Sequence, residues 1–178
     1  KGRVAVGHLT SLGAMEDSRA ARVIEKIAEA DINVLPLPAT DLFLNGRGDM
    51  PPRYRSLTRV KELIAAGVNV SAASNNIRNA FTPSGRGDLL EIGLLLAHVA
   101  HMTGAAERVG VPDLFTHNAA RAMGIEDSYG IAPGRPADFV VLDSLEWGDI
   151  IIDQPEKRYV VKRGKVVVEN CRESVWRG

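Results

Sequence analysis

Short apolar segments alternate with amphipathic ones over the first two-thirds of this chain, and that alternation restricts the fold more than any other feature. Residues 4–6, 32–37 and 68–73 read as strands. Residues 18–30 place Ala20, Val23, Ile24, Ile27 and Ala28 at helical spacing with charges opposite. Residues 57–66 put Val60, Leu63 and Ile64 on one face, with Gly67 as a stop. Residues 88–102 form an apolar helix for which Asp88 is a suitable N-cap, and residues 112–123 a further helix closed by Gly124. Two polar stretches, 39–56 and 74–87, read as loops. Strands alternating with helices imply parallel βα units. Three parallel strands leave open edges, whereas eight close a barrel. The expectation is that strands are missing upstream. Lys1-Gly2-Arg3 runs straight into the first strand with no initiator Met, which fits a fragment or a processed product.

After Gly124 the texture changes. Residues 137–142 read as a strand, and 159–162 and 165–168 flank Arg163-Gly164, a hairpin signal. The expected division is an α/β portion over 1–128 and a small β-unit over 129–178. Twenty-two basic residues balance 22 acidic ones, which argues against nucleic acid or an anionic membrane as a bulk partner. Cys171 is the lone cysteine. It forms no internal disulfide, so the chain reads as intracellular and cytoplasmic. No apolar run approaches the ~20 residues of a membrane span, and no signal peptide is visible.

In parallel barrels, chemistry gathers at the C-terminal ends of strands. His8 ends the first strand, and Asn75 and Asn76 follow the third. His8 is either a hydrogen-bonded strand-end polar residue or a group that orients a carbonyl, binds metal or moves a proton. His98 and His101 share a helical spacing that permits metal binding, but barrel helices lie outside, which favours a surface position or interhelix packing. His117 reads as structural. Asp41, Arg47 and Asp49 lie in the long stretch after the second strand, either a substrate lid or a solvated loop. Arg86 and Asp88 have the same standing.

Several motifs resemble one family. Val6-Gly7-His8-Leu9-Thr10-Ser11-Leu12 resembles the sixth-strand segment of cytosine deaminase-like amidohydrolases. Phe43-Leu44-Asn45-Gly46-Arg47 is similar to their loop after strand seven, and residues 58–70 to the helix and strand leading to the eighth-strand site. The run Gly130-Ile131-Ala132-Pro133-Gly134-Arg135-Pro136-Ala137-Asp138 resembles the return of such chains to a small β-domain. The resemblance covers nearly the whole chain in matching order.

It implies an α/β fold: about strands six to eight of a (β/α)8 barrel plus part of a flanking β-domain, the N-terminal half being supplied by another chain or removed. It implies one divalent metal, Zn or Fe, held by a first-strand His-x-His, a fifth-strand His and an eighth-strand Asp. No His-x-His occurs here. His8 matches the sixth-strand His that assists catalysis. Asn75 takes the place of the metal-binding Asp, so the resemblance makes it a metal position. An amide coordinates weakly through oxygen and is no general base near neutral pH. A subfamily with altered chemistry and an inactive or engineered relative both account for it; a register shifted by one does not, because Asn76 is also neutral. The implied activity is hydrolysis of a C–N bond in a heterocyclic amidine or amide. His8 and Asn75 form the catalytic pair, Asn76 and Asp41 face substrate, and the assembly is a homo-oligomer. The competing reading is a non-catalytic subunit that closes the barrel.

Overall fold

A computed structural model describes residues 2–102, 104–172 and 175–177. Strand β1 (Val4–Gly7) runs into a single-turn helix α1 (Thr10–Gly13) and then α2 (Asp17–Ala30), which buries Ala20, Ile24 and Ile27. Asp31, in the left-handed region at φ 56°, ends α2, and β2 (Ile32–Leu35) follows, pairing in parallel with β1 from Val4 opposite Ile32 to Gly7 opposite Leu35. The expected βα unit is therefore present.

The next stretch differs from its reading as a loop. Pro38–Leu44 forms helix α3, with Pro38 in its first turn, where a missing N–H costs nothing. Tertiary burial holds it: Pro38, Thr40 and Asp41 are all inaccessible. Helix α4 (Val60–Ala65) starts three residues later than the pattern suggested. The cause is a close approach, since a Cβ on Gly13 would lie 2.0 Å from Leu57 O. Residues 57–59 thus lie against α1, and the Arg59 guanidinium donates to Leu12 O and Met15 O.

The third strand is reduced to a single parallel bridge, Val34 to Val70, flanked by bonds from Val34 N to Asn69 O (3.0 Å) and Ser71 N to Val34 O (2.9 Å). Its other edge is satisfied without a strand: Ala72 N donates to Leu114 O at 2.8 Å, and Asn118 Nδ2 donates to Val70 O at 2.8 Å. Asp88 caps α5 (Leu89–Val99) by accepting from Leu90 N, as its sequence position suggested. Helix α6 (Ala105–Gly110) was not expected. The helix expected over 112–123 is broken at Thr116 (φ −118°, ψ −95°) into a 3-10 turn, Pro112–Phe115, and α7 (His117–Ala122).

A second sheet has the order β3 (Phe139–Leu142), β4 (Lys157–Lys162), β5 (Lys165–Glu169), all antiparallel. Arg163 and Gly164 both have positive φ (49° and 73°), the geometry a two-residue hairpin requires. Between β3 and β4 lies α8 (Ile150–Asp153), whose Ile150 and Ile151 join the core. Gly93 on α5 makes room for it, since a Cβ there would sit 2.9 Å from Ile151 Cδ1. The core is continuous, running from Leu12 and Val34 through Leu63 and Val70 to Leu96, Val111 and Ile150. Among the described residues no helix is long and apolar enough to cross a membrane.

Candidate active site

Three of the residues singled out in the sequence meet at the C-terminal ends of the parallel strands. His8 leaves β1 with its N–H bonded to Leu35 O at 3.0 Å. Its φ of 68° and that of Leu9, 53°, are left-handed. For residues with side chains such conformations cost on the order of 1–3 kcal/mol and persist only where the surroundings impose them. His8 Nδ1 lies 2.6 Å from Asp41 Oδ1, and Asn75 Nδ2 lies 3.4 Å from His8 Nε2. Asn75 also has a positive φ, 61°, which an Asn tolerates better than most residues.

Asp41 does not sit in an open loop. It lies on the first turn of α3 and is only 3% exposed. Its Oδ2 accepts from Leu37 N at 3.3 Å, while Oδ1 takes the His8 contact. The carboxylate thus has both oxygens committed to the protein. An acceptor at Nδ1 fixes the neutral ring as the Nδ1–H tautomer and turns the Nε2 lone pair outward. Nε2 then accepts from the Asn75 amide. The imidazole is nonetheless reachable, with 46% of its side chain exposed.

Asn76 is close by and differently engaged. Its Nδ2 donates to Thr40 Oγ1 at 3.4 Å, and its Oδ1 accepts from Asn79 Nδ2 at 2.8 Å. Thr40 and Thr82 share a buried hydroxyl–hydroxyl bond of 2.8 Å. Thr40, Thr82 and Asn79 were not read from the sequence. The available signal was local: an Asn whose Oδ1 accepts the N–H groups of Phe81 and Thr82 makes an Asx-type turn.

The other sequence candidates stay outside this cluster. His98 is exposed on α5 and His101 follows that helix. His117 stacks edge-on against Tyr129 with ring centroids 5.4 Å apart. Arg47 lies 4.6 Å over the Phe43 ring, Asp49 O accepts from Arg53 Nε, and Arg86 pairs with Glu91. Asp88 is spent on its cap and on Lys157, 2.6 Å away.

A metal does not fit the residues of this chain taken alone. Among the described residues no three His, Cys, Asp or Glu side chains group closely enough to hold one. Asn75, the ligand the resemblance implies, turns its Nδ2 toward His8, so its Oδ1 is the side-chain atom with lone pairs to offer a metal.

Known proteins share this chain's fold and much of its sequence. The model of the family described as "Amidohydrolase family" matches residues 1–168. A pterin deaminase from Rhizobium rhizogenes is 33% identical over 170 residues, covering 93% of this chain and 38% of the relative. An N-isopropylammelide isopropyl amidohydrolase from a Pseudomonas species is 36% identical over 111 residues, covering 62% of this chain and 28% of the relative. The crystal structure of 5-methylcytosine deaminase from Klebsiella pneumoniae liganded with 5-fluorocytosine superposes with a TM-score of 0.94 at 30% identity, over 99% of this chain and 43% of that one. The chain thus spans less than half the length of these relatives, and with an α/β fold that matches theirs it belongs to the amidohydrolase family, on the cytosine deaminase-like side.

Proposed function

We propose that this chain supplies the C-terminal portion of an amidohydrolase barrel, about strands six to eight over residues 1–128 with a segment of a flanking β-domain over 129–178. In this reading the complete enzyme hydrolyses a C–N bond in a cyclic amidine or amide. The observation that carries it is the His8–Asp41–Asn75 cluster at the strand ends. The relatives support the substrate class, being named for a pterin, 5-methylcytosine and N-isopropylammelide. The family resemblance brings one divalent metal, zinc or iron, whose ligands other than Asn75 would lie outside this chain. An upstream half on the same or another polypeptide, assembly as a homo-oligomer and a cytoplasmic location complete the proposal.

The chain's own residues account for proton movement. Water adds to the ring carbon, the C–N bond breaks, and the nitrogen leaves as ammonia or an amine while a ring carbonyl forms. His8 Nε2 is oriented to accept a proton from water and to return it to the departing nitrogen. Asp41 balances the imidazolium in between, and its burial reduces the screening of that charge interaction. Asn75, being an amide, orients groups beside Nε2 without accepting a proton.

The test is ammonia or amine release by the complete enzyme from a panel of amino- and alkylamino-substituted pyrimidines, pterins and triazines. Release from at least one is expected, and silence across the panel removes the proposal. The second reading, a degenerate subunit, draws on one observation: an amide, not an acid, faces His8. Asn75→Asp separates the two. In a working enzyme built around the amide it lowers turnover on the true substrate; in a degenerate one it raises activity on a cytosine-like substrate.

A further inference from the structure

Thr40 and Asp41 are consecutive on the first turn of α3, and both are nearly inaccessible, at 2% and 3%. Their side chains reach different parts of the site. Asp41 holds His8. Thr40 Oγ1 meets Thr82 Oγ1 and accepts from Asn76 Nδ2. Thr82 in turn closes a small ring within the loop that carries Asn75. Asn79 N donates to Thr82 O at 3.0 Å, Asn79 Oδ1 accepts from Phe81 N and Thr82 N at 3.0 and 3.1 Å, and Asn79 Nδ2 donates to Asn76 Oδ1. Residues 76–82 therefore form a closed unit whose polar attachment to α3 runs through Thr40.

Asn75 is exposed and lies outside any helix or strand, so its position depends on its neighbours. Its contact with His8 Nε2, at 3.4 Å, is a weak hold on the loop, as is the Asn76–Thr40 contact at the same distance. The buried hydroxyl pair is the stronger tether, because two hydroxyls removed from water must satisfy each other.

Resting on the reading of His8 and Asn75 as the active pair, we propose that Thr40 and Thr82 are positioning residues. Helix α3 acts as a template that aims His8 through Asp41 and the Asn75–Asn76 loop through the Thr40–Thr82 bond. It thereby sets the spacing between the two halves of the site. Asn76 sits in this unit: its Oδ1 accepts from Asn79 Nδ2 and its Nδ2 lies 3.4 Å from Thr40 Oγ1.

The experiment compares wild type, Thr40→Val, Thr82→Val, the double variant and Thr40→Ser in the complete enzyme. Each valine deletes the hydroxyl at nearly constant volume. kcat is expected to fall about tenfold in either single valine variant, as for a misplaced reacting group, with KM changed by less than about threefold. Thr40→Ser should recover kcat to within about threefold of wild type, and the double variant should be no worse than the singles, because both remove the same bond. Amide exchange over residues 76–82 should quicken in the valine variants while α2 and α4 keep their protection. Unchanged kcat in Thr40→Val, or equal impairment in the Ser and Val variants, overturns the proposal. If a single valine variant does not fold, the double variant, which strands neither hydroxyl, carries the comparison. If wild type proves inactive on the whole panel, the hydrolase reading has failed, and the exchange arm still judges the template: unaltered protection of 76–82 refutes it.

Discussion

The two ends of the same three parallel segments are built on opposite principles. At the N-terminal end, polar groups close on one another. Asn33, 3% exposed, donates Nδ2 to Gly2 O at 3.0 Å and Val4 O at 3.1 Å. Its Oδ1 accepts from Asn69 Nδ2 at 2.7 Å, Asn69 Nδ2 also donates to Asn118 O, and Asn118 Nδ2 donates to Val70 O. The chain of amides runs from β1 across β2 and the third segment to α7, supplementing a backbone ladder that is only one bridge long at Val70. At the C-terminal end the backbone is bent into left-handed conformations at His8, Leu9 and Asn75, and an imidazole stays within reach of solvent. One end spends its polar groups on register; the other keeps one in reserve. This division matches that of parallel barrels, where the C-terminal face carries chemistry and the N-terminal face stability.

Substitutions at the two ends should separate cleanly. The largest effect is expected at His8. His8→Ala in the complete enzyme should lower turnover by about 10²-fold or more, as for loss of a proton-transferring group, with the melting temperature nearly unchanged. Retained turnover would show that the upper end is as structural as the lower. The converse is Asn69→Leu. It leaves Asn33 Oδ1 and Asn118 O without their donor, and a buried unsatisfied group costs about 1–3 kcal/mol. Urea unfolding should show that loss while kcat per folded molecule stays at the wild-type value. A stable Asn69→Leu protein would mean that the amide chain is incidental and that core packing alone sets the register.

The sequence conveyed the two ends unequally. His8 and Asn75 could be found because a residue directly after a parallel strand is placed by topology alone, and the family motifs fall on those same positions. The α2 face, the Asp88 cap and the Arg163-Gly164 hairpin follow rules that span a few neighbouring residues. Helix α3 was hidden because Pro38 and the flanking Gly, Asp and Arg residues carry turn chemistry, and its seven residues are stabilised by burial, which no local pattern announces. Helix α8 is four residues long, too short for periodicity, and exists because Ile150 and Ile151 fill the space left by Gly93. The Thr40–Thr82 bond joins positions 42 apart. Such a pairing becomes visible only when α3 and the third segment's loop are already in place.

The smallest expected effect tests whether the upper end is coupled to the β3–β4–β5 sheet. Asp88 ends the loop that begins at Asn75, caps α5, and reaches Lys157 on β4 at 2.6 Å. Burial pushes its carboxyl up, but the hydrogen bond from Lys157, the Leu90 N–H and the charges of Lys157 and Arg86 outweigh that and hold it below the ordinary carboxylate value. A carboxyl whose folded pKa lies below its unfolded pKa stabilises the fold above the unfolded value, near 4, and loses that contribution as pH falls through the folded one. The pair is partly open to solvent, so its worth is about 1 kcal/mol or less. Lys157→Met keeps most of the aliphatic stem and removes the charge. Wild type should exceed this variant in stability by that small margin at pH 7, and the margin should shrink as pH falls below about 4, where the unfolded chain's carboxyl takes up a proton, and be lost as pH falls through the lower folded value. Denaturant midpoints for both proteins at pH 7, 4 and 3 measure it. No margin at pH 7 would mean that Lys157 contributes through its stem packing alone, and that the loop bearing Asn75 is not electrostatically anchored to the second sheet.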